Sequence, residues 1–298
     1  MMSFSAGWVA LKGMPLSELW PIVGLPAFFF TLLGIFAVRC ARHGMPRTER
    51  MEKLSKSRFV PRFLLEYGYW ILYLPVRGLV AIGATPNMIT AASLLVAGAG
   101  AVLFASGRFF WGGFLLYVSF MFDALDGMVA RATGMTSVRG EYFDAFIDRY
   151  TDFVVYLGIM WYYRDFPLAL GLTTMAMVGS SVMGYARAKG EAVGIDPNVG
   201  WMQRHERAAV VGSLTCLSPL AAIFLEPGNS HPRHHLVIVA MAAVALFSNI
   251  TSIQRAWYVM SRLAPARRRP APEAVAPPSP TLGKELAPTA QPSRLARS

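Results

Sequence analysis

Residues 123–148 read DALDGMVARATGMTSVRGEYFDAFID, and they set four carboxylates, Asp123, Asp126, Asp144 and Asp148, into a chain otherwise dominated by apolar runs. Spacings of three and four place each pair on one face of a helix. Two helices that turn those faces towards each other would build a cage of oxygen atoms. An Asp near the centre of a bilayer costs about 2.5–3.5 kcal/mol on insertion scales, so four without compensation would cost roughly 10 kcal/mol. Cations must offset that, and carboxylates with no neighbouring His or Cys suit hard divalent ions, Mg2+ or Mn2+. The alternative is ion pairing with Arg131, Arg139 and Arg149, or a solvated loop. Gly127 and Ala130 favour a ligand, because they clear side chains from the face beside Asp126 and let a ligand approach the backbone closely.

The rest of the chain is membrane-like. Of 298 residues, 54% are hydrophobic and only 15% charged, with a mean hydropathy of +0.42, whereas about a quarter of a soluble domain is charged. An all-α polytopic membrane protein is the class these values select. The net charge of +11 raises nucleic acid as a partner, but the basic residues flank apolar spans and form no patch with interleaved aromatics. Anionic headgroups and phosphate-bearing substrates fit them better. Cys40 and Cys216 lie in or beside separate apolar stretches and make neither a disulfide framework nor a zinc site.

Outward from the carboxylates, three segments are expected: residues 1–59 with an extra apolar span and a basic linker, a membrane domain over 60–263, and a tail over 264–298. The run 19–38 is long enough to span and ends in Arg39, Arg42 and Arg47 without a small-residue cleavage site, so it reads as retained. Eight Arg and Lys residues over 39–62 mark the cytoplasmic side. Residues 63–83, rich in Tyr and Trp but interrupted by Glu66, Pro75 and Arg77, read as an interfacial helix. Six core spans are expected at 87–106, 109–131, 143–163, 166–188, 208–225 and 236–260. The Asp-bearing loop (132–141), the 189–207 loop and the C-terminus then lie on the cytoplasmic side of an inner or plasma membrane. The tail is rich in Pro and Ala and cannot build a core. His231, His234 and His235 read as surface residues of an outside loop, and His205 receives no role.

The residues Asp123, Asp126, Gly127, Ala130, Arg131, Gly140, Asp144 and Asp148, with eight residues between Arg131 and Gly140, match the signature of the CDP-alcohol phosphotransferase family at every position. The resemblance covers residues 60–262. It implies two Mg2+ or Mn2+ ions held by the four Asp residues and clamping the diphosphate of a CDP-linked lipid. Asp123, Gly127, Ala130, Arg131 and Gly140 would lie around the CDP moiety, and Asp148 would act as catalytic base. Asn87 and Thr90 are further candidates for the nucleotide site, although Thr85-Pro86-Asn87 is equally explained as a helix start. A homodimer is expected.

After the motif, Asp148-Arg149-Tyr150-Thr151-Asp152, Tyr185-Ala186-Arg187-Ala188 and Arg204-His205-Glu206-Arg207 are closest in pattern to the phosphatidylinositol phosphate synthase branch. There the corresponding cations hold the phosphate of inositol phosphate. Arg187, Lys189, Arg204 and Arg207 are therefore the expected acceptor-phosphate residues, with ordinary cytoplasmic decoration as the alternative. Gly184 stands where a small hydroxyl residue is expected and Lys189 where Arg is expected. Glycerol 3-phosphate is the second acceptor. An intramembrane prenyltransferase and a divalent-cation transporter are the competing classes. Neither accounts for Gly127, Ala130 and Arg131.

Overall fold

Two caps decide how the carboxylates are presented. In the computed structural model, which describes residues 16–44, 62–227 and 231–263, α3 (Pro86–Ala105) starts at Thr85. The Thr85 hydroxyl accepts from the Met88 amide, and Pro86 occupies a position where a missing N–H costs nothing. Next, α4 (Phe109–Thr133) stops at Gly134, whose φ of 69° is the left-handed conformation that a residue with a Cβ avoids. Ser137 then caps α5 (Val138–Tyr162) by accepting from the Gly140 amide at 3.1 Å. The connection expected over 132–141 is thus a four-residue turn, 134–137. Arg139 and Glu141 belong to the first turn of α5, because the Ser137 cap starts the helix ahead of them.

The other helices are α1 (Leu16–His43), α2 (Arg62–Ala81), α6 (Pro167–Ala192), α7 (Arg204–Leu225) and α8 (His235–Arg262), and the described residues contain no strand. Two of them also start or end away from the expected limits. α6 runs on to Ala192, so Lys189, like Arg187, lies on the helix and not in a loop. α7 begins at Arg204 because Gln203 and Glu206 form a reciprocal capping box. The basic linker residues 45–61 and the tail 264–298 fall outside the described residues.

Among the described residues, five helices, α3, α4, α6, α7 and α8, are long and apolar enough to cross a bilayer, and the chain is an integral membrane protein. The expected sixth core span, α5, is a 25-residue helix but does not reach that apolarity. Arg139, Glu141, Asp144, Asp148, Arg149 and Asp152 crowd its first half.

Packing closes the six helices into a ring in the order α3, α4, α7, α8, α6, α5 and back to α3, with α2 laid on the outside of α4. Leu72 and Val76 of α2 meet Ile89, Leu125 and Val129 there. Phe36 of α1 is fully buried among Phe63, Tyr67 and Trp70 of α2, at centroid distances of 5.3–5.7 Å. Inside the ring, Phe104, Phe109, Leu116, Val155, Ile159, Val211 and Met241 form the main core. One end of the ring is closed by the segment leading into α8. His234 adopts a left-handed φ of 52° and is buried, which corrects the expectation of a surface residue. Its ring nitrogen bonds the Ser218 hydroxyl at 2.9 Å and its ring stacks at 4.5 Å from Phe109. The hydroxyls of Tyr162 and Tyr163 donate to the carbonyls of Pro232 and Arg233.

Candidate active site

At the other end of the ring the carboxylates converge. One oxygen each from Asp123, Asp126 and Asp144 lies within 4.8 Å of the other two. Asp126 is buried, and the Thr90 hydroxyl, reaching over from α3, donates to its Oδ2 at 2.6 Å. A buried hydrogen bond to a charged acceptor contributes about 1.5–3 kcal/mol, so Thr90 fixes this carboxylate as a rigid corner. Asp144 Oδ1 is buried without a hydrogen-bond partner. A buried carboxylate oxygen left unpaired is costly, and three carboxylates converging with oxygen donors alone fit a hard divalent cation.

A cavity of about 130 Å³ opens beside this cluster, lined by Asn87, Thr90, Asp126, Gly127, Ala130, Arg131, Gly140 and Asp144. The sequence reading named all eight for the metal and nucleotide sites. Gly127 earns its place sterically, since a Cβ there would sit 3.2 Å from the Arg131 guanidinium. Met135, Thr136, Ser137 and Glu141 also line the cavity. All four lie in the stretch 132–141 that the sequence suggests is one loop, whereas Met135, Thr136 and Ser137 form the turn and Glu141 belongs to α5.

The fourth carboxylate, Asp148, stands apart from the three. It accepts from Arg204 Nη2 at 2.5 Å, and Arg204 Nη1 reaches Asp123 Oδ2 at 3.3 Å. The Arg204 guanidinium also rests over the Phe120 ring at 5.4 Å. One turn further on, Arg207 is buried and donates to Asp152 Oδ2 at 2.6 Å. Arginines three apart on α7 therefore face carboxylates four apart on α5, a two-rung ladder across the ring.

Arg187 and Lys189 are placed differently. Both are exposed, Arg187 pairing with Glu191 at 2.8 Å and Lys189 lying over the Tyr185 ring at 5.8 Å. The structure thus divides the four expected phosphate-binding cations into an inner pair and an outer pair. Two further guanidiniums join this end. Arg149 crosses from α5 to rest on Gly184, where any Cβ would collide with it. Arg255 of α8 is buried and donates to the carbonyls of Val199 and Met183 at 3.1 Å. The signal for Arg255 was present, since a charge this deep in an otherwise apolar span needs a reason. Gly184 replaces the expected hydroxyl residue because Arg149 occupies the space a side chain would fill.

The family model of CDP-alcohol phosphatidyltransferases matches residues 83–247. A phosphatidylinositol phosphate synthase of Mycobacterium tuberculosis is 33% identical over 184 residues, 60% of this chain and 81% of that protein. An archaetidylinositol phosphate synthase of Pyrococcus horikoshii is 30% identical over 197 residues, 62% of this chain and 88% of that one. Among solved structures, the Mycobacterium tuberculosis phosphatidylinositol phosphate synthase with CDP-DAG bound aligns with a TM-score of 0.56 at 32% identity, covering 64% of this chain and 94% of that chain. The same enzyme in complex with manganese and citrate aligns with a TM-score of 0.56 at 31% identity, covering 64% and 89%. The carboxylate cluster, its cavity and these likenesses agree, and the chain belongs to the CDP-alcohol phosphatidyltransferase family.

Proposed function

We propose that this protein transfers the phosphatidyl group of CDP-diacylglycerol to a hydroxyl of inositol phosphate and releases CMP. The observation that carries the reading is the convergence of Asp123, Asp126 and Asp144 beside a cavity lined by Asn87, Gly127, Arg131 and Gly140. The names of the similar synthases and the CDP-DAG and manganese in the related structures support it. Bound Mg2+ or Mn2+, two ions held by Asp123, Asp126, Asp144 and Asp148, would neutralise charge developing on the diphosphate.

The chain's own residues do the rest. Gly127, Ala130 and Gly140 leave room for the nucleotide, and Arg131 pairs with a phosphate oxygen. Asp148 takes the proton of the acceptor hydroxyl as that oxygen bonds to the lipid-side phosphorus, and the phosphorus–oxygen bond to CMP breaks. The inner guanidiniums Arg204 and Arg207, with Arg187 and Lys189 further out, receive the acceptor's phosphate, since Arg binds phosphate through paired charge-assisted bonds. Glycerol 3-phosphate, which offers the same anion on a smaller alcohol, is the second acceptor. In this reading residues 60–263 form the membrane domain, with α3 to α8 as its six-helix core. α1 is an additional span, α2 lies at the interface, and the carboxylate end faces the cytoplasm of a homodimer in the inner or plasma membrane.

The test uses the purified chain with CDP-diacylglycerol, Mg2+ and a panel of acceptors, following CMP. Inositol phosphate should drive CMP release and chelation should abolish it. Turnover with serine or free inositol, but with neither phosphorylated polyol, overturns the proposal.

A further inference from the structure

Asp148 has two claims on it. Its carboxylate is held by Arg204, and the same guanidinium reaches Asp123 at 3.3 Å. The three-oxygen cluster of Asp123, Asp126 and Asp144 is complete without Asp148. A second divalent ion needs Asp148, and it cannot share that carboxylate face with a guanidinium.

Charge balance points the same way. The four carboxylates carry a formal charge of −4, which two divalent ions neutralise in full, so a retained Arg204 would leave an excess positive charge at a site of low dielectric. Like charges held in one pocket repel even at an effective dielectric of about 20. Arg204 therefore has to move when the second ion enters. The next carboxylate along α5, Asp152, already receives Arg207 at 2.6 Å. What remains is an anion brought from outside.

We infer that Arg204 is a displaceable internal cation that couples the second metal site to the acceptor. It holds Asp148 and Asp123 until a second divalent ion takes them, and is then released to bind the acceptor's phosphate. This rests on the proposed function for the identity of that anion. Phe120 guides the movement, since its ring supports the guanidinium at 5.4 Å and a cation can slide over an aromatic face. Linkage is reciprocal: if the second ion frees Arg204 for the phosphate, the phosphate must tighten the second ion by the same factor. The acceptor hydroxyl thus meets Asp148 as a base only after Arg204 has left it.

The experiment measures Mn2+ binding to the purified full chain by electron paramagnetic resonance, without donor lipid. Wild type should bind one Mn2+ tightly and a second weakly. Arg204→Gln should tighten the second site by about tenfold or more, within the usual range of coupling between sites. Arg204→Lys, which keeps the charge but cannot span both carboxylates, should fall between. Adding inositol phosphate should tighten the second site in wild type and leave Arg204→Gln unchanged. Should Arg204→Gln fail to fold, Phe120→Leu supplies a milder variant, with a smaller shift in the same direction. Identical Mn2+ isotherms for wild type and the folded variants overturn the inference, as does an inositol phosphate effect that survives in Arg204→Gln. Because these readouts need no turnover, a failure of the acceptor assignment shows separately, as absent CMP release.

Discussion

The two ends of the helix ring solve opposite problems with the same helices. At the closed end, the buried polar groups of the 231–235 segment are matched: His234 with Ser218, and the Pro232 and Arg233 carbonyls with Tyr162 and Tyr163. At the carboxylate end, Asp144 Oδ1, Thr151 Oγ1, Arg204 Nε and Arg207 Nη1 are buried without a hydrogen-bond partner. Since a buried unsatisfied group costs about 1–3 kcal/mol, the fold concentrates its unmet hydrogen bonding where ligands would supply it. The closed end provides stability and the carboxylate end holds capacity.

Substitutions that separate stability from turnover sharpen that contrast. The largest effect is expected for Asp148→Asn, which should keep CDP-lipid binding while lowering kcat by about 10²–10⁴-fold, the usual contribution of a positioned base. Single-turnover CMP release measures it, and near-wild-type turnover removes Asp148 from that role. Arg207→Ala should blur the division, because it leaves the half-buried Asp152 without its partner. Breaking a buried pair from one side costs about 3–5 kcal/mol, visible as a large fall in Tm, and adding Asp152→Leu should recover part of it. At the closed end, Tyr163→Phe removes the hydroxyl that donates to the Arg233 carbonyl at 2.9 Å and the His234 carbonyl at 3.3 Å. It should cost about 1 kcal/mol with kcat unchanged.

The smallest effect is a pH dependence confined to the closed end. Burial pushes the His234 imidazole below its ordinary value, although the Glu226 charge pulls the other way. The folded protein therefore prefers neutral His234. Its contribution is complete above the unfolded value near 6.5 and declines as pH falls below it. For Glu226, burial alone would raise the carboxyl, but the Arg233 amide and the His235 side chain outweigh it and hold it below the usual range. Its contribution is present above the ordinary carboxylate range and is lost only in stronger acid. The Tm advantage of wild type over His234→Gln should thus shrink modestly from pH 7.5 to 5.5.

The carboxylate end was the more legible of the two. Charges inside apolar runs are expensive, so Asp123, Asp126, Asp144 and Asp148 announce themselves in the sequence, and Gly127 and Ala130 show which face must stay open. The Gly134 stop and the Ser137 cap were readable as well, yet Arg139 and Glu141 drew the reading towards a longer loop, because charge beside an apolar run resembles a connection. The pairing of Arg204 with Asp148 was not readable. It depends on α7 facing α5 across the ring, an arrangement that local periodicity does not encode. His234 was missed for a related reason: its burial comes from Phe109 and Ser218, on two other helices.

The four-residue turn at 134–137 has a consequence for the order in which the molecule is made. The two carboxylate pairs lie on one short hairpin, so their meeting closes only a small loop and is fast and inexpensive in chain entropy. The guanidinium that pairs with Asp148 comes late, because Arg204 follows it by 56 residues. During chain elongation, the acidic hairpin of α4 and α5 is complete well before α7 emerges to meet it. Until then, its negative charge must be met by water, protons or ions at the membrane surface.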